Sequence, residues 1–555
     1  MKTISLNEIQ GNNYLNRAAM AFLLYNHIDP SEFATSIPDY GRNYFIDDYV
    51  SLASRLNYSE EFIKYILSNN KKKFIIIGDY DVDGTMGTTI FVEVFRAIGI
   101  DVDFIIPDRL NDGYGISRKH IDEAKNLGGE VIITVDNGIS CYDALDYAAE
   151  LGLEVIITDH HRPQEKLPTA SLIIDPWLND DEFQPICGAA VAMKLLLPLI
   201  NYITDKRERD GIRNEIVFYA AIATIADMMP LLGENRVLIN AVLIHVNFLK
   251  SRKYWWGRIL KVVSGFGPKL NETDIIDEDT IKFYIAPTIN SVSRMGGDMK
   301  ELINKILNCN QQNIYINDYH QYNYERKNLV RNMVRDLKLN DDSGNFVVFN
   351  PDDYDKPIKG VCGLVANKLI SDTEKVSLVG MINNDMIDMS GRSIHGYSIY
   401  DGFLRLQKQL PELNITGGGH ESAIGLRFKI QDENTVQLFE AAFKKDIEQY
   451  AELVDSVYIE LDPSYIEELV IEKLKFKTFG QDFENLKLSF SGVVQDIIEN
   501  DKVAIINING IGLPFKYFTN DMVIGSPVEG ICTIMTLQSS WLLKVEKVFK
   551  NGKIS

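Results

Sequence analysis

The sequence predicts an α/β protein with three parts: a domain built on a parallel sheet, a smaller α/β domain and a C-terminal β-barrel. Short, continuous apolar runs alternate with helical patterns over residues 71–330, which is typical of parallel strands covered by helices on both faces. A shorter alternation of the same kind occupies residues 331–450. Residues 456–555 contain a succession of short strand-like runs, a spacing that indicates a small barrel.

Residues 1–70 precede these domains and are predicted to be helical. Apolar residues recur at three- and four-residue spacing in RAAMAFLLYNHI (17–28), DDYVSLASRL (47–56) and SEEFIKYILSN (59–69). This is the periodicity of amphipathic helices. We therefore expect an N-terminal helical segment that is separate from the parallel sheet.

The strands of the first domain are predicted from four runs rich in β-branched residues. These runs are FIIIG (74–78), VDFIIP (102–107), VIITV (131–135) and LEVIIT (153–158). Helical patterns such as TTIFVEVFRAIG and DALDYAAELG lie between them, and helical patterns continue to residue 330. Strands that are joined through helices in this way form parallel sheets.

The two later domains are predicted from shorter patterns. The smaller α/β domain is indicated by NFVVFN, GLVANKLI and KVSLVGMI, followed by glycine-rich turns at SGRS and TGGGH. The barrel strands are indicated by SVYIELD, LKLSFSGVV, KVAIINI, LPFKYF, SPVEGICTIMTL and WLLKVEKVF. No repeat occurs at the period of a solenoid, so a repeat architecture is not expected.

The composition is that of a folded protein with a strong acidic excess. Hydrophobic residues make up 45% and charged residues 24% of the 555 residues, which excludes disordered, collagen-like and coiled-coil classes. The 78 acidic residues exceed the 57 basic ones, so the formal net charge is −21. A net anion is repelled by phosphate, which argues against a protein that coats nucleic acid through bulk electrostatics.

Cysteine usage and hydropathy indicate a cytoplasmic protein. The five cysteines lie far apart and form no CxxC pair, so neither a disulfide framework nor a zinc ribbon is expected. The first residues lack the apolar run of a signal peptide, and no apolar stretch is long enough and free enough of charge to predict a membrane span. We therefore expect no association with a membrane.

The strongest chemical signal is GDYDVDG (78–84), which follows the first predicted strand. In an extended segment, alternate residues point the same way, so Asp79, Asp81 and Asp83 are expected to share one face. Three carboxylates at this density favour a hard cation such as Mg²⁺ or Mn²⁺. An EF-hand is the rival interpretation, but Ile90 stands where its loop requires Glu, and a strand rather than a helix precedes. A solvated acidic turn is the remaining alternative.

Two further predicted strands also end in polar groups. VIITV leads to Asp136-Asn137-Gly138, and LEVIIT leads to Asp159-His160-His161. Ligands bind at the carboxyl ends of parallel strands, so these groups are expected to converge with the first motif. Asp227 is a single charge in the apolar run YAAIATIADMMPLL, and the alternative for it is an N-cap.

Together these residues supply enough ligands for two divalent cations. Two ions about 3.5–4 Å apart can activate water and stabilise a leaving oxygen, so phosphoester hydrolysis is the expected reaction class. Aromatic side chains could hold the bases of a bound strand by stacking, without reading its sequence. The candidates are Tyr114, Trp177, Trp255 and Trp256, for which ordinary packing is the alternative.

These motifs resemble the DHH phosphoesterase superfamily, whose name describes the sequence Asp159-His160-His161. Within it, the chain resembles the RecJ-like exonucleases, which are specific for single strands and act from 5′ to 3′. The resemblance spans roughly residues 20–430 and includes a DHHA1 domain. Besides the acidic motifs, it rests on PDRLNDGYGIS (107–117), ICGAAVAMKL (186–195), ATIADMMPLLGENR (223–236), IAPTINSVSRMG (285–296), SGRS (390–393) and GGGHESAIGL (417–426).

The resemblance implies a domain order and a set of roles. A DHH domain would occupy residues 71–330, a DHHA1 domain 331–450 and an OB-like barrel 456–555. His161 would contact the scissile phosphate or donate a proton. Two ions, Mn²⁺ or Mg²⁺, would be held by Asp79, Asp81, Asp83, Asp136, His160 and Asp227, with Asp136 bridging. Nucleic-acid phosphate, including the 5′ end, would be held by Arg109, Asn290, Arg294, Ser390, Arg392 and His420.

The resemblance also implies the biological setting, and two other functions stay open. The expected substrate is single-stranded DNA, in DNA repair, recombination or phage DNA metabolism. A single-strand-binding protein and a helicase are candidate partners, and a monomer is expected. One alternative is a small-substrate DHH phosphoesterase acting on nanoRNA or cyclic dinucleotides, although no His lies near Asp79, where those relatives carry one. The other is a non-catalytic replication scaffold.

Overall fold

The chain forms two compact units, each described by itself below. One comprises Met1–Ala53, Met228–His245 and Asp455–Ser555, and the other comprises Ser54–Asp227 and Val246–Val454. The computed structural model describes residues 2–4, 17–26, 43–112, 115–164, 166–251, 276–308, 319–335, 337, 343–394, 396–451, 457–476, 485–498, 502–517, 523–536, 541–550 and 553–554. The four domain boundaries stay predictions.

The strands form three sheets within the described residues. In chain order they are β1 (Lys2–Ile4), β2 (Phe74–Gly78), β3 (Val102–Ile105), β4 (Val131–Val135), β5 (Glu154–Thr158), β6 (Leu172–Ile174), β7 (Asn345–Phe349), β8 (Ser377–Asn383), β9 (Met386–Arg392), β10 (Thr416–His420), β11 (Ala423–Lys429), β12 (Val457–Glu460), β13 (Lys487–Ile498), β14 (Val503–Ile508), β15 (Ile511–Lys516), β16 (Pro527–Thr536), β17 (Trp541–Lys550) and β18 (Lys553–Ile554).

Helices pack against all three sheets. They are α1 (Arg17–Tyr25), α2 (Ile46–Leu52), α3 (Ser59–Ser68), α4 (Val82–Ala97), α5 (Arg118–Asn126), α6 (Tyr142–Glu150), α7 (Gly188–Leu196), α8 (Lys206–Ala226), α9 (Gly233–Ser251), α10 (Ala286–Arg294), α11 (Met299–Leu307), α12 (Tyr319–Arg335), α13 (Cys362–Thr373), α14 (Ile399–Gln409), α15 (Thr435–Tyr450) and α16 (Ile466–Phe476). A helical turn at Glu278–Thr280 and a π-helical turn at Ile281–Ile285 lead into α10.

The first sheet is parallel throughout, and its strand order is β3-β2-β4-β5-β6. The β-branched side chains of β2 and β4 are fully buried, because helices lie on both faces. Helices α4, α7 and α8 pack together on one face, whereas α5 and α6 cover the other. The parallel-sheet domain predicted from the sequence is confirmed.

The second sheet is mixed and smaller, as the sequence predicted. Its strand order is β10-β11-β9-β8-β7, in which only the β7–β8 pair is parallel. Helix α13 packs on one face, where Val361 and Leu369 meet Phe349. Helices α14 and α15 cover the other face, where Phe439 stacks on Phe428 with ring centroids 4.4 Å apart. This arrangement forms the smaller α/β part of the fold.

The C-terminal strands close into a five-stranded barrel, which confirms the OB-like prediction. The ring runs β13-β14-β15-β17-β16 and closes through the β13–β16 pair. Strands β15 and β17 are parallel, and the other four pairs are antiparallel. The core of this unit also receives α1 through Phe22 and α16 through Leu469. Strand β12, from the predicted run SVYIELD, pairs with β13 outside the ring.

The sequence predicts neither a membrane span nor a disulfide framework. None of the helices in the described ranges combines the length and hydropathy that crossing a bilayer requires. Among the described residues, Cys141, Cys187, Cys362 and Cys532 are free thiols. Tyr114, Trp255 and Trp256, which were candidates for base stacking, lie outside the described residues.

Candidate metal and phosphate site

Three neighbouring strands of the parallel sheet deliver the acidic motifs to one edge. Strands β2, β4 and β5 are adjacent, so the residues that follow them lie side by side. Asp79 follows β2, Asp136 follows β4 and Asp159 follows β5; each is at most 3% exposed. The site is therefore built from the carboxyl ends of parallel strands.

The first motif turns from strand to helix instead of continuing as a strand. Helix α4 begins at Val82, and the carboxylate of Asp81 caps it by accepting hydrogen bonds from the backbone N–H groups of Asp83 and Gly84. The expectation that Asp79, Asp81 and Asp83 share one face of an extended segment was therefore wrong. A strand-to-helix turn also lacks the helix–loop–helix geometry of an EF-hand. Burial of Asp79 and Asp83 rules out a solvated acidic turn.

Asp83 is held by the N-terminus of α7, which is distant in sequence. Its Oδ2 accepts a hydrogen bond from Gly188 N at 2.6 Å, and its Oδ1 accepts one from Ala189 N at 2.7 Å. The helix dipole and two backbone donors stabilise a carboxylate at this position. A side chain at Gly188 would bring its Cβ within 2.7 Å of Asp136 Cβ, so glycine is required for this approach.

His160 lies at the centre of three carboxylates. Its Nε2 is 3.0 Å from Asp136 Oδ1, 3.4 Å from Asp83 Oδ2 and 3.7 Å from Asp227 Oδ2. Asp136 adopts a left-handed backbone conformation with φ of 59°, which is uncommon outside glycine and better tolerated by Asp and Asn. Asp227 ends α8 as its C-cap, so the N-cap alternative was wrong.

The buried carboxylate of Asp159 orients its neighbours through hydrogen bonds. Its Oδ2 accepts a hydrogen bond from Ile139 N, and its Oδ1 lies 2.8 Å from His161 Nδ1. Burial alone would lower the pKa of His161. The hydrogen bond with Asp159 and the negative charges of Asp159, Asp227 and Asp83 outweigh it and raise that pKa to about 9.

The buried carboxylates resist ionising together. Burial, followed by the charge of Asp81, raises the pKa of Asp79 to about 8 and that of Asp83 to about 6. Burial, followed by the charge of Asp83, raises the pKa values of Asp136 and Asp227 well above their usual range. Carboxylates packed this closely are stabilised in their ionised form by cations.

The ligand atoms fit divalent cations that prefer oxygen donors. Three sets, each with atoms within 4.8 Å of one another, are Asp79-Asp81-Asp136, Asp83-His160-Asp227 and Asp136-His160-His161. The first and third sets share Asp136, and the second and third share His160. A donor set rich in carboxylates with imidazole suits Mn²⁺ or Mg²⁺.

A cluster of arginines lies beside these acids. Arg109 comes from the loop after β3, and its guanidinium lies 4.7 Å from the ring centroid of Tyr80. Arg294 ends α10 and donates to Gly360 O at 2.6 Å. Arg392 is the last residue of β9. Burial and the positive charges of Arg109 and Arg392 lower the pKa of Arg294, and burial followed by Arg109 lowers that of Arg392. Such a cluster has a strong affinity for anions.

The remaining predicted phosphate ligands lie on the same elements. Asn290 is one turn before Arg294 on α10, and its buried Oδ1 has no hydrogen-bond partner among the described residues. Ser390 is two residues before Arg392 on β9, so both side chains leave the same face of the strand. His420 is the last residue of β10, and its side chain lies outside the part that the structure describes.

Sequence reasoning missed a fourth strand end, which carries Asp175. Residues SLIID repeat the pattern of an apolar run followed by an acid, and Asp175 directly follows β6. Its side chain is fully buried, and burial followed by the charge of Asp159 raises its pKa to about 7. Trp177 lies two residues later, and the guanidinium of Arg162 lies over its ring, 4.0 Å from the ring centroid.

Comparisons with known proteins find similarity to a family model, to curated relatives and to solved structures. Residues 73–224 match the family model of the DHH family, N-terminal domain. The single-stranded-DNA-specific exonuclease RecJ of Salmonella typhimurium is 31% identical over 72% of this chain and 68% of its own length. A manganese-bound RecJ crystal structure is 28% identical over 71% of this chain and 95% of its own, with a TM-score of 0.56. RecJ from Thermus thermophilus with Mn²⁺ has a TM-score of 0.74 at 22% identity, covering 99% of this chain and 79% of that one.

Proposed function

The chain belongs to the RecJ family of single-stranded-DNA-specific exonucleases, and on that premise we propose that it hydrolyses single-stranded DNA from the 5′ end with two divalent ions, Mn²⁺ or Mg²⁺. The observation that carries the proposal is the set of three overlapping ligand groups at the carboxyl edge of the parallel sheet. Phosphodiester hydrolysis is the reaction that such a paired site performs.

The ions would be held by the six residues that the sequence singled out. Asp136 belongs to two of the ligand groups, and its carboxylate has two oxygens, so it would be able to contact both ions. When bound, the ions supply an activated water and charge stabilisation for the leaving oxygen. The proposed ligands are Asp79, Asp81, Asp83, Asp136, His160 and Asp227.

The other residues bind and orient the substrate. The hydrogen bond to Asp159 fixes Nδ1 of His161 and leaves Nε2 as the nitrogen for the scissile phosphate or for donating a proton to the leaving oxygen. The arginine cluster formed by Arg109, Arg294 and Arg392 holds phosphate at the 5′ end, because guanidinium groups bind phosphate oxygens through paired N–H donors. Asn290, Ser390 and His420 complete this phosphate site.

Both alternative functions are less well supported. The curated relatives that this chain covers to more than two thirds of their own length are exonucleases of single-stranded DNA. The small-substrate interpretation is also disfavoured because no His lies near Asp79 in the sequence, where the resemblance places one in those enzymes. A scaffold without catalysis has no need of ligand groups, whereas this chain has three.

The cellular location, the oligomeric state and the partner proteins are also part of the proposal. The free thiols of the described cysteines suit the reducing cytoplasm. All described ligands come from one chain, which is sufficient for a monomer. Cellular DNA is double-stranded, so the enzyme needs single strands to be exposed. A helicase that separates the strands and a single-strand-binding protein that prevents them from re-annealing are therefore suitable partners in repair, recombination or phage DNA metabolism.

The test is digestion of end-labelled strands by the purified protein with Mn²⁺. We expect single-stranded DNA of about forty nucleotides to be shortened from its 5′ end, and Asp136→Asn to lower the rate by orders of magnitude. Matched duplex, RNA and dinucleotide substrates test specificity. Activity on the dinucleotide alone would favour the small-substrate enzyme, and an unaffected Asp136→Asn variant would favour the scaffold.

A further inference from the structure

The two edges of the parallel sheet differ in what they place beside the proposed metal ligands. Arg109 lies after β3 at one edge, and Trp177 lies after β6 at the other. The ligands follow the strands in between. Five adjacent strands span about 19 Å from first to last, because neighbours lie about 4.8 Å apart. A strand of DNA that runs along this line, from the β3 edge to the β6 edge, passes both.

The β6 edge carries a turn that is fixed by its own hydrogen bonds. Asp175 Oδ1 accepts from Trp177 N at 2.9 Å and Leu178 N at 3.3 Å. Asn179 Oδ1 accepts from Asp175 N at 2.9 Å, and Asn179 N donates to Asp175 O at 2.9 Å. Trp177 is half-buried and Asp175 is fully buried, so the indole is presented in a defined orientation.

The guanidinium of Arg162 stacks on this indole. Arg162 directly follows His161, and its guanidinium lies 4.0 Å from the Trp177 ring centroid although the side chain is exposed. No carboxylate of the described residues forms an ion pair with it. Stacking uses one face of the guanidinium and leaves the N–H groups at its edge able to donate.

Arg118 differs from Arg162 in that it forms an ion pair with a carboxylate. Its guanidinium also lies over an aromatic ring, that of Tyr147, at 4.9 Å. However, its Nε and Nη2 donate to Asp143 at 2.9 and 2.6 Å, so its charge is already matched. The side chain is 54% exposed, which makes Arg118 a control of similar exposure and chemistry.

We infer that Arg162, supported by Trp177, binds a backbone phosphate of single-stranded DNA on the 3′ side of the scissile bond. The inference rests on the proposed function, which places the 5′ end at the arginine cluster, whose member Arg109 follows β3. A strand anchored there and cut at the central ligands continues toward β6. A phosphate contact at that edge holds the remaining strand without reading its sequence.

Binding measurements in the nuclease-inactive Asp136→Asn protein test the contact. We expect Arg162→Ala to raise the Kd for a fluorescent single strand at least about tenfold, the loss typical of a hydrogen bond to a charged group. The slope of log Kd against log salt should fall by about 0.7, which corresponds to one phosphate of a single strand. Arg162→Lys should keep the slope, whereas Arg118→Ala should change neither quantity. Trp177→Leu should also raise the Kd, as Arg162→Ala does.

Neutral methylphosphonate linkages locate the phosphate without any further variant. In protein that retains Arg162, one neutral linkage between the second and fourth nucleotides from the 5′ end should weaken binding. That same linkage should cost nothing once Arg162 is replaced by Ala, because the two changes remove one interaction. Additive losses at every linkage, or an unchanged salt slope in Arg162→Ala, would overturn the inference while leaving the exonuclease intact. A protein that binds no single strand at all would instead contradict the proposed function.

Discussion

His161 Nδ1 lies 2.8 Å from Asp159 Oδ1, and the same oxygen accepts hydrogen bonds from the backbone N–H groups of His160 and His161. One buried carboxylate thus sets the position of both histidines. Asp159 belongs to none of the three ligand groups, so its effect on the site is indirect. Groups of this kind fix the tautomer and the ring orientation of the residues that do contact the ions and substrate.

The Asp159→Asn variant tests this orienting role. We expect kcat to fall by about 10- to 100-fold with a smaller change in KM, because the amide cannot hold the imidazole of His161 as the charged carboxylate does. Steady-state kinetics and bound-metal content should be measured together. Asp143→Asn, which alters only the exposed pair with Arg118, should leave kcat unchanged. Wild-type kcat in Asp159→Asn with full metal content would contradict the role.

Stability of the metal-free protein should fall as pH rises. The folded-state pKa values of Asp79 and Asp83, about 8 and about 6, are above the usual value of 3.8, so folding favours their protonated forms. That contribution is present below about pH 4 and is lost as pH rises through 6 to 8. Thermal unfolding with chelator at pH 5 and pH 8 measures it.

Divalent cations should reverse this dependence, because they bind the ionised carboxylates. With saturating Mn²⁺ we expect the melting temperature to be higher at pH 8 than at pH 5, and binding to release protons near pH 7. Asp79→Asn removes one titrating group, so its metal-free pH dependence should be shallower. A metal-free melting temperature that does not fall between pH 5 and pH 8 would show that these carboxylates are not protonated in the folded state.

Gly188→Ala should damage the site by crowding it. The added Cβ would lie 2.7 Å from Asp136 Cβ and 3.0 Å from its Cα, so the backbone must shift. Overpacking of this kind costs about 1–3 kcal/mol, and we expect activity to fall at least about 100-fold because Asp83 and Asp136 both move. Urea unfolding and nuclease assays check both effects.

Gly211→Ala is the matched control on the exposed part of α8. A Cβ there meets nothing within 4 Å, and alanine favours helix more than glycine does by up to about 1 kcal/mol. We therefore expect unchanged activity and equal or higher stability. Equal behaviour of the two alanine variants would refute the close approach of α7 to Asp136.

Asp112 should stabilise the loop that carries Arg109, in a pH-dependent manner. Burial opposes its ionisation, but hydrogen bonds from Lys119, Asp108 N and His120 lower its pKa to about 2. A pKa below the usual value contributes stability above pH 4 that is lost as pH falls toward 2, here about 2 kcal/mol. Asp112→Asn should lose this at pH 6, and its difference from wild type should roughly halve by pH 3. A difference that is independent of pH would contradict the assignment.

The parallel sheet and its polar strand ends could be predicted because their signals are local. A run such as FIIIG or VIITV is apolar on both faces, and the acid that follows it is visible in the same few residues. The same reasoning should have found Asp175, since SLIID has the pattern of the other strand ends. It failed for the shape of the first motif, because the N-cap bonds of Asp81 begin a helix where alternation suggested a strand.

Contacts between distant residues were decided only by the tertiary structure. Nothing near Asp83 in the sequence shows that Gly188 and Ala189 donate to its carboxylate, and nothing near Arg162 shows that Trp177 lies against it. Local patterns report which residues are strands, helices and strand ends, since those depend on neighbours along the chain. Which side chains meet depends on strand order and helix packing, and these arise from burial summed over the whole domain.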